Sequence, residues 1–423
     1  MWRWLLFGTL LACAGGDPAD EPADLRPLPS CRQRTLATCD IRNVACQEAL
    51  VEILGCVRGR TVSSLPTIEV IDLETARARF EAEVAVDAMM MPPTEFAEED
   101  AVLTALGLIP PGVELRDAQL EEAIAGTAAY YTPATKVVTI IDRGRSLRSR
   151  DAVSTLVHEL VHAAQDEESD LESALEDADT WEDYFALLAL VEGEATFFEL
   201  ETAFWIEGAG ADAPSIDRFE WEELFLILDE SFQEELALTT APIVWASEIA
   251  PYLYGTRWQW DRWFGGGDAA IVAALAGDAP ASSAEFMRDP FRPGSGPALR
   301  VPVTCAAPEP PEGVVAATTT ELGPALTYTV LRATGASDLI ALVFAAQWQG
   351  DQLRSFGSVS GETLGLWRVQ LATEEVAEDL ARRLRAAGHR ATARGSLMTA
   401  AIGDAAARDA WTWESDGPCA PPE

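Results

Sequence analysis

His158-Glu159-Leu160-Val161-His162 places two of the chain's three histidines four residues apart, with a glutamate between them. Residues i and i+4 share one face of an α-helix, so a helix here aims both imidazoles at one point. Glu159 projects beside them, within reach of a water held there. The neighbouring residues supply the helix. Asp151 is the expected N-cap, and Leu156, Val157, Leu160, Val161 and Ala164 form an apolar stripe that buries it. Buried imidazoles and a buried carboxylate need partners. A metal ion satisfies them together; hydrogen-bonded core histidines are the alternative.

A catalytic zinc site takes three protein ligands and keeps one position open for water. The third ligand is expected in Leu190-Val191-Glu192-Gly193-Glu194-Ala195-Thr196, inside a long, mostly apolar helix over residues 180–205. Glu192 is the first candidate and Glu194 the alternative. The two lie about 200° apart around a helix, so both cannot face one ion.

The first motif, followed by Glu192-x-x-Ala195 on a later helix, resembles the gluzincin group of zinc metallopeptidases. The resemblance implies Zn2+ held by His158, His162 and Glu192, with Glu159 as general base in peptide-bond hydrolysis. Many members carry Asp after the Ala; this chain has Thr196 there. His158 to Asp166, with Val191-Glu192-Gly193-Glu194-Ala195-Thr196, is also similar to a set of bacterial zincin-like proteins over roughly residues 85–295. Further matches to that set are Tyr130-Tyr131-Thr132-Pro133, Tyr254-Gly255-Thr256-Arg257 and Pro280-Ala281-Ser282-Ser283.

Lys136 to Ile141 reads as a strand from its β-branched content, and the resemblance makes it the cleft rim with which extended peptides pair. Tyr254 is expected to assist catalysis by donating to an oxyanion, with Arg257 as a second donor; packing beside Trp258, Trp260 and Trp263 is the alternative. Gly265-Gly266-Gly267 reads as a turn, and His389 as a surface histidine.

At the N-terminus, Met1-Trp2-Arg3-Trp4 and an apolar run from Leu5 to Ala12 read as a signal peptide, too short to span a bilayer. Leu10-Leu11-Ala12-Cys13 resembles a lipobox, which implies lipid attachment at Cys13; ordinary cleavage near Ala14 is the alternative. Export to the cell envelope, lipid-anchored, is the expectation. Six of the seven cysteines remain after Cys13, an even number that reads as three disulfides in an exported protein. Cys31, Cys39, Cys46 and Cys56 leave three connectivities open, and Cys305 is expected to pair with Cys419.

The formal charge is −39, or −40 without residues 1–12, which hold one Arg and no acid. Such a surface repels nucleic acid and anionic lipid, so no nucleic acid is expected and the membrane is met only through the anchor; the resemblance implies a peptide or protein substrate. Oligomeric state is not legible. The fold expectation is α+β: signal peptide 1–12, tether 13–30, a disulfide-bonded helical segment 31–65, a mainly helical zincin-like domain with a short edge sheet over 66–295, and a C-terminal α+β domain over 296–423. Helices are expected at Leu73–Met90, Ala97–Leu106, Asp117–Ala125, Phe219–Leu236 and Ile243–Trp263. In the last domain, strands are expected at Leu326–Leu331, Gly365–Leu371 and His389–Ile402, helices at Leu339–Gln347 and Glu374–Ala387, and a turn at Trp348–Asp351. A zincin-like fold without catalysis, serving as an envelope binding or scaffold module, stands as the alternative function; a metal hydrolase of non-peptide substrates is a third.

Overall fold

Every residue of Val137-Val138-Thr139-Ile140-Ile141 is β-branched, which favours extended backbone. The computed structural model describes residues 6–9, 38–60, 62, 65–90, 93–207, 216, 218–275, 280, 282–287, 300–301, 303, 314–358 and 363–403, and places this stretch inside the first of two sheets. Leu6–Thr9 is β1, Thr67–Asp72 β2, Thr127–Thr132 β3 and Val137–Asp142 β4. Their order is β1-β3-β4-β2. β3 and β4 form an antiparallel hairpin, β2 joins β4 in parallel, and β1 runs antiparallel along β3. Lys136, expected to open the strand, sits in the hairpin turn at φ 57°.

Helix α1 (Val44–Val57) precedes this sheet, and α2 (Leu73–Met90), α3 (Pro93–Ala105) and α4 (Leu115–Gly126) connect β2 to β3. The histidine helix is α5 (Arg150–Ser169). Its N-cap is Ser149 rather than Asp151: the Ser149 hydroxyl accepts from the Ala152 amide at 3.2 Å, and Asp151 falls in the first turn, where negative charge suits the helix dipole. Asp170, at φ 49°, ends α5 and caps α6 (Leu171–Asp177). The long helix is α7 (Trp181–Glu207), followed by α8 (Arg218–Leu238), α9 (Pro242–Glu248), α10 (Ala250–Gly266) and α11 (Asp268–Leu275). The single helix expected over 243–263 is thus broken at Ile249, because Pro251 lacks an N–H and its ring crowds the carbonyl one turn earlier.

The second sheet has five strands: β5 (Val314–Thr320), β6 (Trp348–Ser358), β7 (Thr363–Leu371), β8 (Arg390–Arg394) and β9 (Leu397–Gly403). They run antiparallel in the order β5-β6-β7-β9-β8. Helices α12 (Gly323–Ala333), α13 (Asp338–Ala345) and α14 (Glu374–Ala386) complete the region. Two expectations fail here. Leu326–Leu331 is helical, and Trp348–Asp351 is not a turn but the start of β6, with a register shift between Trp348 and Gly350. Mixed helix and sheet, mostly helix, matches the expected α+β class.

The main hydrophobic core links the two sheet regions, with smaller clusters around Phe80 and Tyr130, Phe356 and Leu366, and Leu171 and Leu188. It runs from Cys39 and Leu50 through Leu156, Leu160 and Phe197 to Trp348, Trp367 and Leu380, so the boundary expected near residue 296 is crossed by continuous packing. Helix α3 lies against the second sheet and α12 against α7. Cys39 is bonded to Cys46, and Cys56 is disulfide-bonded as well. Cys13, Cys31, Cys305 and Cys419 lie outside the described residues. Among the described residues, no helix is long and apolar enough to cross a membrane.

Candidate metal centre

Helices α5, α7 and α10 build the centre. α7 and α10 cross where Gly193 meets Gly255: a Cβ on Gly193 would lie 2.2 Å from the Gly255 backbone, and one on Gly255 1.9 Å from the Ala189 carbonyl oxygen. This backbone-to-backbone approach holds Glu192 against α5. The Gln259 amide, one turn after Gly255, ties the crossing by donating to the Leu190 carbonyl at 3.0 Å.

His158 Nε2 lies 3.1 Å from Glu192 Oε2, and His162 Nε2 lies 3.4 Å from the same oxygen. Ligating atoms of these three residues fall within 4.8 Å of one another, and all three side chains are buried. The other ring nitrogens are occupied. His158 Nδ1 is 3.0 Å from Glu199 Oε2, and His162 Nδ1 is 2.8 Å from Gln165 Oε1. Both rings therefore turn Nε2 inward, as ligating histidines do when a partner fixes the outer nitrogen. His162 Nε2 and both oxygens of Glu159 make no hydrogen bond among the described residues. A buried carboxylate and imidazole nitrogen left so cost free energy unless a cation or water completes them. Two imidazoles and a carboxylate are a donor set that suits zinc.

The electrostatics agree. Burial alone would raise the Glu192 carboxyl, but His162 and His158 hold it down at about 2. Burial would lower His158, yet its bonds to Glu192 and Glu199 keep it well above the ordinary histidine range. Glu192 thus demands positive charge beside it. Burial pushes Glu159 up to about 7, against the pull of His162 and His158.

The other expected residues divide. Glu194 faces away from the cluster, accepting from Arg58 Nη2 at 2.7 Å and from Gln165 Nε2 at 3.2 Å. Tyr254 also faces away. It packs edge-on against Phe232 and its hydroxyl lies among Tyr328, Asp229 and Asp338, so the structure does not bring it to the histidines. Tyr252, two residues earlier, stacks on His158 with ring centroids 5.8 Å apart. His389 lies in the turn between α14 and β8, away from the centre. Ser282 and Ser283 belong to a short 3-10 turn at Ser283–Glu285 clamped onto buried Glu182, which accepts from Ser283 N at 2.7 Å and Ser283 Oγ at 2.6 Å. Lys136, the chain's single lysine, and Tyr131 both donate to Asp166 Oδ2, at 2.5 and 2.7 Å, fastening the rim hairpin to the end of α5.

Sequence reasoning did not find Glu199, Gln165, Arg58 or the half-buried Glu248. Glu199 was findable: it is seven residues after Glu192, two helical turns along the same face. Glu248, at the end of α9, is pushed up to about 8 by burial and by Glu192 and Glu122. No protein-family model, curated protein or solved structure matches this chain.

Proposed function

We propose that this protein is a zinc-dependent metallopeptidase of gluzincin type with a zincin-like core, exported and lipid-anchored at Cys13. The observation that carries the reading is the convergence of His158 Nε2, His162 Nε2 and Glu192 beside a buried Glu159 with no hydrogen-bond partner among the described residues. Zinc in this donor set would acidify a water and polarise a scissile carbonyl. His158, His162 and Glu192 hold the ion, and Glu199 and Gln165 orient the two rings. Glu159 takes the proton from the attacking water and hands it to the leaving amine. In the β3–β4 hairpin, pinned through Lys136 and Tyr131 to Asp166, β4 is paired on both edges; loss of residues 1–12, β1 among them, on maturation would free the outer edge of β3 for an extended substrate.

One observation favours a second reading, a zincin-like binding or scaffold module. His158, Glu159, His162 and Glu192 are all at most 2 % exposed, and Tyr252 lies against His158, so substrate requires an opening of this arrangement. Elemental analysis and peptide cleavage by the mature protein separate these readings. About one zinc per chain is expected, lost in His162→Ala and Glu192→Ala. Glu159→Gln is expected to keep the zinc and abolish cleavage of a peptide library. A folded wild type that takes up no zinc would sink the metallopeptidase reading and leave the scaffold; zinc without cleavage under any condition would favour the scaffold too.

A further inference from the structure

Resting on that metal reading, we infer that Arg58 is a positioning residue for His162, acting through Glu194 and Gln165. The Gln165 amide nitrogen donates to the Val191 carbonyl at 2.9 Å and to Glu194 Oε2 at 3.2 Å. With two acceptors on its nitrogen side, the amide presents its oxygen to His162 Nδ1. An acceptor there keeps a proton on Nδ1, so Nε2, on the Glu192 side, is the nitrogen left to bind a metal. The orientation of a zinc ligand is therefore set by which way one amide faces, and Glu194 decides that.

Glu194 is 0 % exposed and holds its place because Arg58, 1 % exposed, is held with it. A buried carboxylate without its cation moves toward whatever donor remains. One guanidinium nitrogen, Arg58 Nη2, donates to both Glu194 Oε1 at 2.7 Å and Glu168 Oε2 at 3.2 Å, with the Phe198 ring centroid 5.4 Å from the guanidinium carbon. Arg60 offers the next cation, but 3.7 Å from Glu194 and partly exposed. Arg58 caps the C-terminus of α1, the helix fastened by Cys39–Cys46 and by the disulfide at Cys56. The cysteine segment thus supplies a residue to the outer shell of a centre built from helices far along the chain.

The test uses the full mature protein and zinc itself. Arg58→Gln is expected to weaken zinc about tenfold, the usual loss for an outer-shell partner, as measured by competition with a chromophoric chelator. Arg60→Gln should stay within about twofold of wild type, since its contact to Glu194 is long, at 3.7 Å, and its own hydrogen bond goes to Glu168 Oε2 at 2.8 Å. Arg58→Gln combined with Glu194→Gln should recover most of the lost affinity: no buried charge is left unpaired, and the amide oxygen introduced there still accepts from Gln165. Imidazole nitrogen NMR of metal-free protein, simple with three histidines, should show the Nδ1–H form of His162 in wild type and its loss in Arg58→Gln. Should Arg58→Gln not fold, Arg58→Lys against the double variant makes the same comparison. Unchanged zinc affinity and unchanged His162 signals in Arg58→Gln would overturn the inference. Equal weakening in Arg60→Gln, or no recovery in the double variant, would do so too. Wild type that binds no zinc but shows the Arg58-dependent His162 signal would remove the metal reading and leave the orienting network standing.

Discussion

At the scale of single residues, Glu199 is the sharpest test of the centre. Its carboxylate bridges α7 to α5, taking Ser154 Oγ at 2.6 Å and standing 3.0 Å from His158 Nδ1. Glu199→Ala is expected to weaken zinc by tenfold or more, and Ser154→Ala by less, because only the first removes the acceptor that fixes the His158 ring. Equal affinity of Glu199→Ala and wild type would show that His158 needs no such partner. The ligands themselves were legible because spacing on a helix is geometry: four residues bring His158 and His162 to one face, and about 200° separates Glu192 from Glu194. Glu199 was missed because the resemblance directs attention to position 196, where Thr stands. Tyr254 was preferred over Tyr252 because a motif match cannot say which way a helix is turned.

Among the elements, the α7–α10 crossing fixes the third ligand. A Cβ at Gly255 meets backbone atoms of Ala189 and Gly193, which cannot swing aside like a side chain. Gly255→Ala should therefore force the helices apart, cost about 2 kcal/mol in urea unfolding and weaken zinc together. Gly265→Ala on the same helix, where an added methyl meets nothing within 4 Å, serves as control and should be neutral or slightly stabilising. Matching effects of the two substitutions would mean the crossing is not tight. Element reading from sequence succeeded where the apolar residues keep to one face, as in α14, where Ala377, Leu380, Ala381 and Leu384 are buried. It failed at Leu326–Leu331 for a physical reason. α12 is buried at every position from Gly323 to Leu331, and its alternating threonines mimic a strand. Thr327 and Thr329 in fact donate back to the carbonyls of Gly323 and Ala325, at 2.7 and 2.9 Å. The Asp351 carboxylate receives the Leu322 and Gly323 amides at the helix start, at 3.2 and 3.1 Å, which no local pattern announces.

Across the whole molecule, the two halves meet around the start of α12, and two buried acids stand there. Glu182 on α7 would lie 2.1 Å from a Cβ at Gly323, and Asp351 on β6 binds the Gly323 amide. Burial pushes Glu182 up to about 8 despite the hydrogen bonds from Ser283 and Ser282, and pushes Asp351 up to about 7 despite Trp367. Their ordinary values are 4.5 and 3.8, so between those values and 7–8 the folded chain holds more protons than the unfolded one. Stability is then full below the ordinary values and is lost as pH rises through the folded ones, by up to about 1 kcal/mol per pH unit for each group. The charge of −39 adds repulsion that also grows with pH, but this surface contribution is screened by about 0.5 M salt while the buried one persists. Urea unfolding at that salt should show wild type losing stability steadily from pH 5.5 to 8.5. Glu182→Gln, which copies the protonated side chain, should lose distinctly less over the same range. Because one core spans both halves, each titration should remain a single transition by tryptophan fluorescence and by circular dichroism. A Glu182→Gln curve parallel to wild type would mean that Glu182 is ionised in the folded protein, with Arg300 supplying the compensating charge.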